Sequence, residues 1–290
     1  MITETKKPTL FVNNKDLLAE IHKSKTSYCT FINQSEDHEY DLIVELLEST
    51  LFQCFEFALL PENLEKARKT RASRLGKDVS EILDSDIVFR IMTWDHIPLS
   101  KKLPRKIVKK KTAKDIIEFD DESDDVFADL EDSSKVAVDD LVHVKVNFPP
   151  FQHFRLDKMN TMQCIGKSHW KGDLLGGEFC KDHGQITTKL AKMYIMMCEK
   201  YALKYNWRGY SYVDEFKNSA ILQLTYVGLR FNEARSSQAF SYITQTIHNA
   251  FLRVLGTEKK SHNIRDDLLE MNNLNPSYSR QGSGSGRYEE

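Results

Sequence analysis

Between residues 185 and 271 apolar side chains return every three to four positions, and this periodicity constrains the fold more than any other feature. Ile186, Leu190, Met193, Met197, Tyr201 and Tyr205 mark one helix, and Val213, Phe216, Ala220, Leu224 and Val227 the next. Phe240, Ile243, Ile247, Ala250, Phe251 and Val254 predict a third over residues 238–255, with Ser236 or Ser237 as its cap and Gly256 just past its end. Ile264, Leu268 and Met271 predict a short fourth helix, stopped by Asn275-Pro276. At roughly 100° per residue, Tyr242, Thr246, Asn249 and Arg253 flank the apolar sector of the third helix, while Ser241, Gln245, His248 and Leu252 lie opposite it. That surface is rich in amide and hydroxyl groups and poor in carboxylate, which suits a helix that reads a polar ligand.

Charge points the same way once its distribution is considered. The 41 Lys plus Arg and 43 Asp plus Glu give a net charge of −2, so the whole chain is no strong polyanion binder. Residues 230–265, however, hold six Arg/Lys against two acids, Glu233 and Glu258. Arg230 and Arg235 precede the polar helix and Lys259-Lys260 follow it, which brackets its face with phosphate-binding charge. Residues 100–114 carry eight Lys/Arg and residues 115–132 ten acids, two opposed blocks that predict a charged, flexible linker.

The N-terminal part mixes helix and strand signals. Asn13 or Asn14 caps a helix with Leu17, Leu18 and Ile21 on its buried side. Residues 27–32 have strand character, residues 41–60 show helical spacing ended by Pro61, and residues 64–75 form a basic, solvated helix. Residues 87–97 and 142–146 read as strands, residues 148–154 as an extended aromatic segment, and residues 168–184 as a turn-rich run with four glycines. The chain thus divides into 1–100, an N-terminal α/β extension; 101–140, the linker; 141–184, the aromatic and Gly-rich segment; 185–275, the helical domain; and 276–290, a flexible tail of Gly-Ser composition. Five cysteines without framework spacing suit a reducing compartment, and no apolar run reaches the ~18 residues of a membrane span.

Catalytic motifs are absent: there is no nucleophile motif, phosphate-cradling loop or dinucleotide fingerprint. The metal candidate is Cys164-x4-His169 with Cys180-x2-His183, whose first pair departs from the usual spacing of a closed tetrahedral site. Asp214 and Glu215 are adjacent on one helix, so they suit a protein-contacting or solvated face better than a shared substrate. Trp207 and Tyr212 close the helical core, or, together with Arg208, hold a nucleic-acid strand.

The residues Arg230-Phe231-Asn232-Glu233-x-Arg235, followed by Phe240-Ser241-Tyr242-Ile243-Thr244-Gln245 and Asn249-Ala250-Phe251-x-Arg253, resemble region two of bacterial sigma factors. The primary factors carry a similar K-F-D-P-x-R turn before a promoter-reading helix. The chain is more similar to the late-gene sigma factors of T-even-like phages, through Phe11-Val12-Asn13-Asn14-Lys15-x-Leu17-Leu18 and Tyr242-Ile243-Thr244-Gln245. It looks most like those from phages of marine bacteria, through residues 148–154 and 168–184, Asn206-Trp207-Arg208-Gly209-Tyr210 and Asn263-Ile264-Arg265-Asp266-Asp267.

The resemblance implies a mainly α fold, a sigma region-two-like helical bundle with a small strand-containing insertion. It implies no enzyme and no cofactor. The partners it implies are bacterial core RNA polymerase, at the clamp helices of β′ with β as a second surface, and promoter DNA, above all its non-template strand. It leaves room for a phage co-activator, implies no membrane, and places the chain in the cytoplasm of an infected host. Asp214, Glu215, Asn218 and Ser219 fall at polymerase-binding positions. Arg208, Arg230, Arg235, Ser241, Tyr242, Gln245, Thr246, His248, Asn249, Arg253, Lys259 and Lys260 fall on the side facing an A/T-rich −10-type element, with Tyr242 beside the first melted base. Gln245 and Thr246 stand where primary factors have two tryptophans, which removes the aromatic wedge. With the chain ending soon after Met271 no second promoter-reading domain is implied, and with Tyr288 as the only candidate anchor in residues 282–290 a sliding-clamp contact is not implied either. The alternatives are a metal-dependent nucleic-acid enzyme using the Cys/His cluster and a duplex-binding transcriptional regulator.

Overall fold

The computed structural model describes residues 12–33, 37–46, 50–101, 141–157, 159 and 161–280. The linker expected at 101–140 lies outside these residues but for Lys101, and so do residues 281–290 of the expected tail. The chain forms two compact units, Met1–His96 with Val146–Glu290, and Ile97–Lys145. Within the second unit, β4 (Leu99–Lys101) pairs antiparallel with β5 (Leu141–His143).

The first unit joins segments that the sequence separates. Its sheet has five strands: β1 (Cys29–Phe31), β2 (Leu42–Val44), β3 (Val88–Met92), β6 (Phe151–Leu156) and β7 (Met162–Ser168), in the order β1-β7-β6-β3-β2. All pairs are antiparallel except β2 with β3. Side chains alternate across the sheet. Phe89, Ile91, Phe154 and Leu156 pack on one side with α2 (Leu51–Ala58) and α3 (Pro61–Leu75), while Phe151 and Met92 join the helical core. A two-strand hairpin, β8 (Trp170–Lys171) with β9 (Glu178–Phe179), follows β7. Residues 1–100 and 141–184 are therefore not a separate extension and segment; both supply strands to one sheet.

Three further expectations change. Residues 41–60 are not one helix: Leu42–Val44 is the edge strand β2, and the helix starts only at Leu51 behind a capping box of Thr50 and Gln53. Pro61 opens α3 instead of ending a helix, because the first helical turn needs no N–H donor there. The basic residues of α3 are largely engaged, since Arg68 meets Asp84, Arg71 and Arg74 meet Asp41, and Lys69 meets Glu65.

Helices α1 (Asn14–Thr26), α4 (Thr188–Ala202), α5 (Val213–Val227) and α6 (Ala239–Met271) build the larger core. Leu17 and Ile21 of α1, Leu190 and Cys198 of α4, Phe216 and Leu224 of α5, and Ile243 and Phe251 of α6 are fully buried in it. Gly228, after α5, is required by packing: a Cβ there would collide with Tyr194 Oη. The third and fourth expected helices are one continuous helix that runs through Gly256. A single helical Gly costs only about 1 kcal/mol, too little to break it. Neither Ser236 nor Ser237 caps α6; its Phe240 N–H donates to Asn14 Oδ1 at 3.0 Å, from the start of α1. Residues 276–280 are not a loose tail, since Ser277 donates to Asp266 through its N–H (3.1 Å) and Oγ (2.6 Å).

The sheet and the helices are locked together by a buried ionic cluster. Arg90 of β3 is 1% exposed, with its guanidinium 3.9 Å from the ring centres of both Tyr40 and Phe151. It donates to Glu233 Oε2 (2.6 Å), His153 Nε2 (2.9 Å) and His22 Nδ1 (3.1 Å). His153 Nδ1 donates to Asp37 O and His22 Nε2 to His38 O, which leaves each other ring nitrogen free to accept from Arg90. Lys25 of α1 completes the cluster, bonding Glu233 Oε1 (3.1 Å) and Phe231 O (2.7 Å). Glu233→Ala would strand two buried cations, with an expected loss of about 3–5 kcal/mol in urea unfolding. A loss below about 1 kcal/mol, the range of an exposed pair, would contradict the geometry.

Candidate nucleic-acid and protein interface

Helix α5 runs antiparallel to α6. Tyr242 near the start of α6 bonds Val227 at the end of α5, while Glu215, Asn218 and Ser219 share a groove of about 360 Å³ with Arg253, Thr257 and Glu258. Asp214, Glu215 and Asn218 are exposed and Ser219 is half-buried. Asp214 pairs with Lys217, and both acids sit in the first turn, where they also stabilise the helix dipole. The four expected protein-binding residues therefore lie together. One and two turns further on the same stripe stand Leu222 and Tyr226, 58% and 65% exposed. Helical spacing offers no reason to single them out, because Leu and Tyr beside a core sector read as core.

The polar residues of α6 separate into two groups. Tyr242 is turned inward, its hydroxyl donating to Val227 O at 2.9 Å and its ring against Phe231. Burial pushes its hydroxyl pKa up to about 12. In this position it is not a free stacking surface for a melted base. Thr246 donates to the Tyr242 carbonyl at 3.0 Å, and His248 Nδ1 lies 2.9 Å from Tyr201 Oη. Ser241, Gln245 and Arg253 face outward, and Asn249, half-buried, accepts from Gln245 Nε2 at 2.9 Å. Arg253 reaches Gln223 Oε1 at 3.5 Å. Lys259 and Lys260 are exposed on the following turns.

The flanking arginines also differ in their surroundings. Arg230 is exposed, while Arg235 bonds Glu45 at 3.2 Å and Asn232 holds the same carboxylate. Trp207 is buried against Tyr201, Phe216 and Phe251, closing the core. Its neighbour Arg208 lies 5.3 Å over the ring of the exposed Tyr205, and Lys204 lies 4.0 Å over Tyr201. Beside them a slot of about 310 Å³ opens between α4 and α6, lined by Val12, Met197, Tyr201, Phe240 and Ile247 with Lys200 and Lys204. Phe240, expected in the core, is instead a half-open wall of this slot. Cations interleaved with aromatic faces are the chemistry of single-strand binding; of these residues only Arg208 stood out by sequence.

The Cys/His cluster does not assemble. Cys164 packs toward the core of α2 and α3, while His169 lies on the other side of the sheet, 4.1 Å from the Phe148 ring. His183 Nδ1 is bound to the Cys180 carbonyl at 2.9 Å. Among the described residues, no three His, Cys, Asp or Glu converge as a metal site.

The histidines have a different consequence. Burial draws His96 down to about 4 and His169 to about 3, and holds His22 and His153 well below the usual value, aided by Arg90. As pH falls through about 6.5, the unfolded imidazoles take up protons that the folded ones refuse, so stability falls with pH over that window. The melting temperature is expected to drop steadily from pH 7 to pH 4. A constant value down to pH 5 would show that these rings are not held neutral.

Among the described residues, no helix is long and apolar enough to cross a membrane. The chain matches no protein-family model, no curated protein and no solved structure.

Proposed function

We propose that this chain is a sigma-type transcription initiation factor of a phage, acting in the cytoplasm of the infected host. It binds host core RNA polymerase through α5 and directs recognition and melting of an A/T-rich −10-type late promoter element. The observation that carries this reading is the pairing of two chemically distinct exposed faces on adjacent helices. The α5 stripe offers acids, amide and hydroxyl, while α6 from Ala239 to Thr257 offers amides, hydroxyls and Arg253 with no carboxylate. The resemblance of residues 212–253 to sigma region two supports the same assignment of the two faces.

On this reading the chain performs no bond chemistry. Polymerase docks on Asp214, Glu215, Asn218 and Ser219, and the duplex lies along Ser241, Gln245, Asn249 and Arg253. Arg230, Lys259 and Lys260 neutralise phosphates at either end. Melting does not use a tryptophan wedge. Unpaired non-template bases stack instead on Tyr205 and Phe240, close to Lys200, Lys204 and Arg208, each stacked base contributing about 1–3 kcal/mol. Tyr242 and His248 act beneath this surface by holding α6 on α4 and α5.

Run-off transcription with core polymerase, with and without the chain, tests the reading directly; tight, sequence-specific binding of duplex by the isolated chain would instead favour a repressor-like regulator. Glu215→Lys combined with Asn218→Lys is expected to abolish co-purification with core polymerase while the chain still folds, with stability lowered only by about the 1 kcal/mol of a lost helix-dipole charge. Retained binding would put the docking face elsewhere. Tyr205→Ala is expected to lower transcription about tenfold on linear duplex, one stacking contact's worth, and much less on a pre-melted bubble. Equal losses on both templates would remove Tyr205 from melting.

A further inference from the structure

Past Glu258, α6 leaves the bundle: none of its later residues belongs to either apolar core or lines the groove with α5. It nevertheless continues to Met271, a projection of about 20 Å at 1.5 Å per residue. A lone helix of that length is marginal in water, and here a clasp holds it. Asp266 is buried under Ser277, and Arg280 bridges Asp267 (2.6 Å) and Glu270 (3.0 Å). The clasp covers one side only. Ile264, Leu268 and Met271, at i, i+4 and i+7 on another side, are 57%, 53% and 79% exposed.

This apolar stripe continues the face that carries Arg253 and Lys260, since at roughly 100° per residue all five fall within a sector of about 80°. Along that one face, phosphate-binding chemistry ends at Lys260 and apolar chemistry begins at Ile264. We propose that Ile264, Leu268 and Met271 dock in an apolar groove of the protein that receives the α5 face, which on the reading above is core RNA polymerase. DNA is a poor occupant, because the stripe offers no donor to phosphate. A second copy is a poor occupant as well: three half-exposed side chains fall far short of the ~800 Å² per partner that a stable interface needs. The stripe must therefore belong to a larger contact, and the α5 face is continuous with it through the groove shared by Glu215, Thr257 and Glu258. Arg280 already pairs with Asp267 and Glu270, so the receiving groove needs no cation.

The test is the affinity of the full-length Ile264→Ser/Leu268→Ser variant for core polymerase, measured without DNA beside wild type. The expected result is binding weakened about tenfold or more, the range of central apolar anchors, at an unchanged melting temperature. Should the double variant melt early, Leu268→Gln alone is measured, with the same expectation of weakened binding. Unchanged affinity overturns the docking and leaves the sigma-type reading standing, whereas wild type without affinity for core polymerase overturns both. A concentration-dependent dimer of wild type that the variant loses, seen by sedimentation, overturns the docking in favour of a second copy.

Discussion

A guanidinium buried at the centre of a sheet dictates much of what surrounds it. Arg90 cannot shed its proton, so burial is tolerable only if its N–H groups find acceptors in the right places. Three parts of the chain supply them. The β3–β6 register sets His153 directly across from Arg90. Helix α1 presents His22 and Lys25 three residues apart, hence on one side of the helix. The turn between α5 and α6 delivers Glu233, which neutralises Arg90 and Lys25 together. A slip of β3 by one residue would turn Arg90 toward the α2–α3 core and leave all three unmatched. Sheet, α1 and the α5–α6 turn are thereby tied to one geometry.

The same tie also fixes how the α5 and α6 faces sit relative to one another. The turn that carries Glu233 also sets where α6 begins, and Asn14 of α1 caps it there. The relative position of the α5 and α6 faces is thus set by polar contacts from outside both helices, not by their mutual packing alone. On the sigma-type reading, the acids that meet polymerase and the amides that meet DNA are held at a constant offset by residues that touch neither.

The sequence shows the helices well and their surroundings poorly. The periodicities of α4 and α5 mark their cores except at Tyr205, which lies past the end of α4 and is 81% exposed, and the wheel of α6 separates its apolar sector correctly for Ile243, Ile247 and Phe251. It fails for Tyr242 and His248, because what turns them inward is Val227 and Tyr201 on other helices. Gly256 and Pro61 mislead for a related reason: each is a local breaker whose effect is decided by context, a long helix in one case and a first turn in the other. The sheet is the least legible part, since β1 pairs with β7 and β3 with β6 across long stretches of chain. Arg90 within the apolar run of residues 87–92 is a trace of it, a charge where only a matched neighbour could keep one.

The pairing of β3 with β6 also has a topological meaning. Antiparallel neighbours joined by residues 93–150 make that whole stretch, in connectivity, the loop of a single hairpin. Closure entropy rises only by about 0.6 kcal/mol for each doubling of loop length. The unit at Ile97–Lys145 is therefore, in connectivity, an insertion into that hairpin loop, whose length the β3–β6 pairing tolerates at little cost in closure entropy.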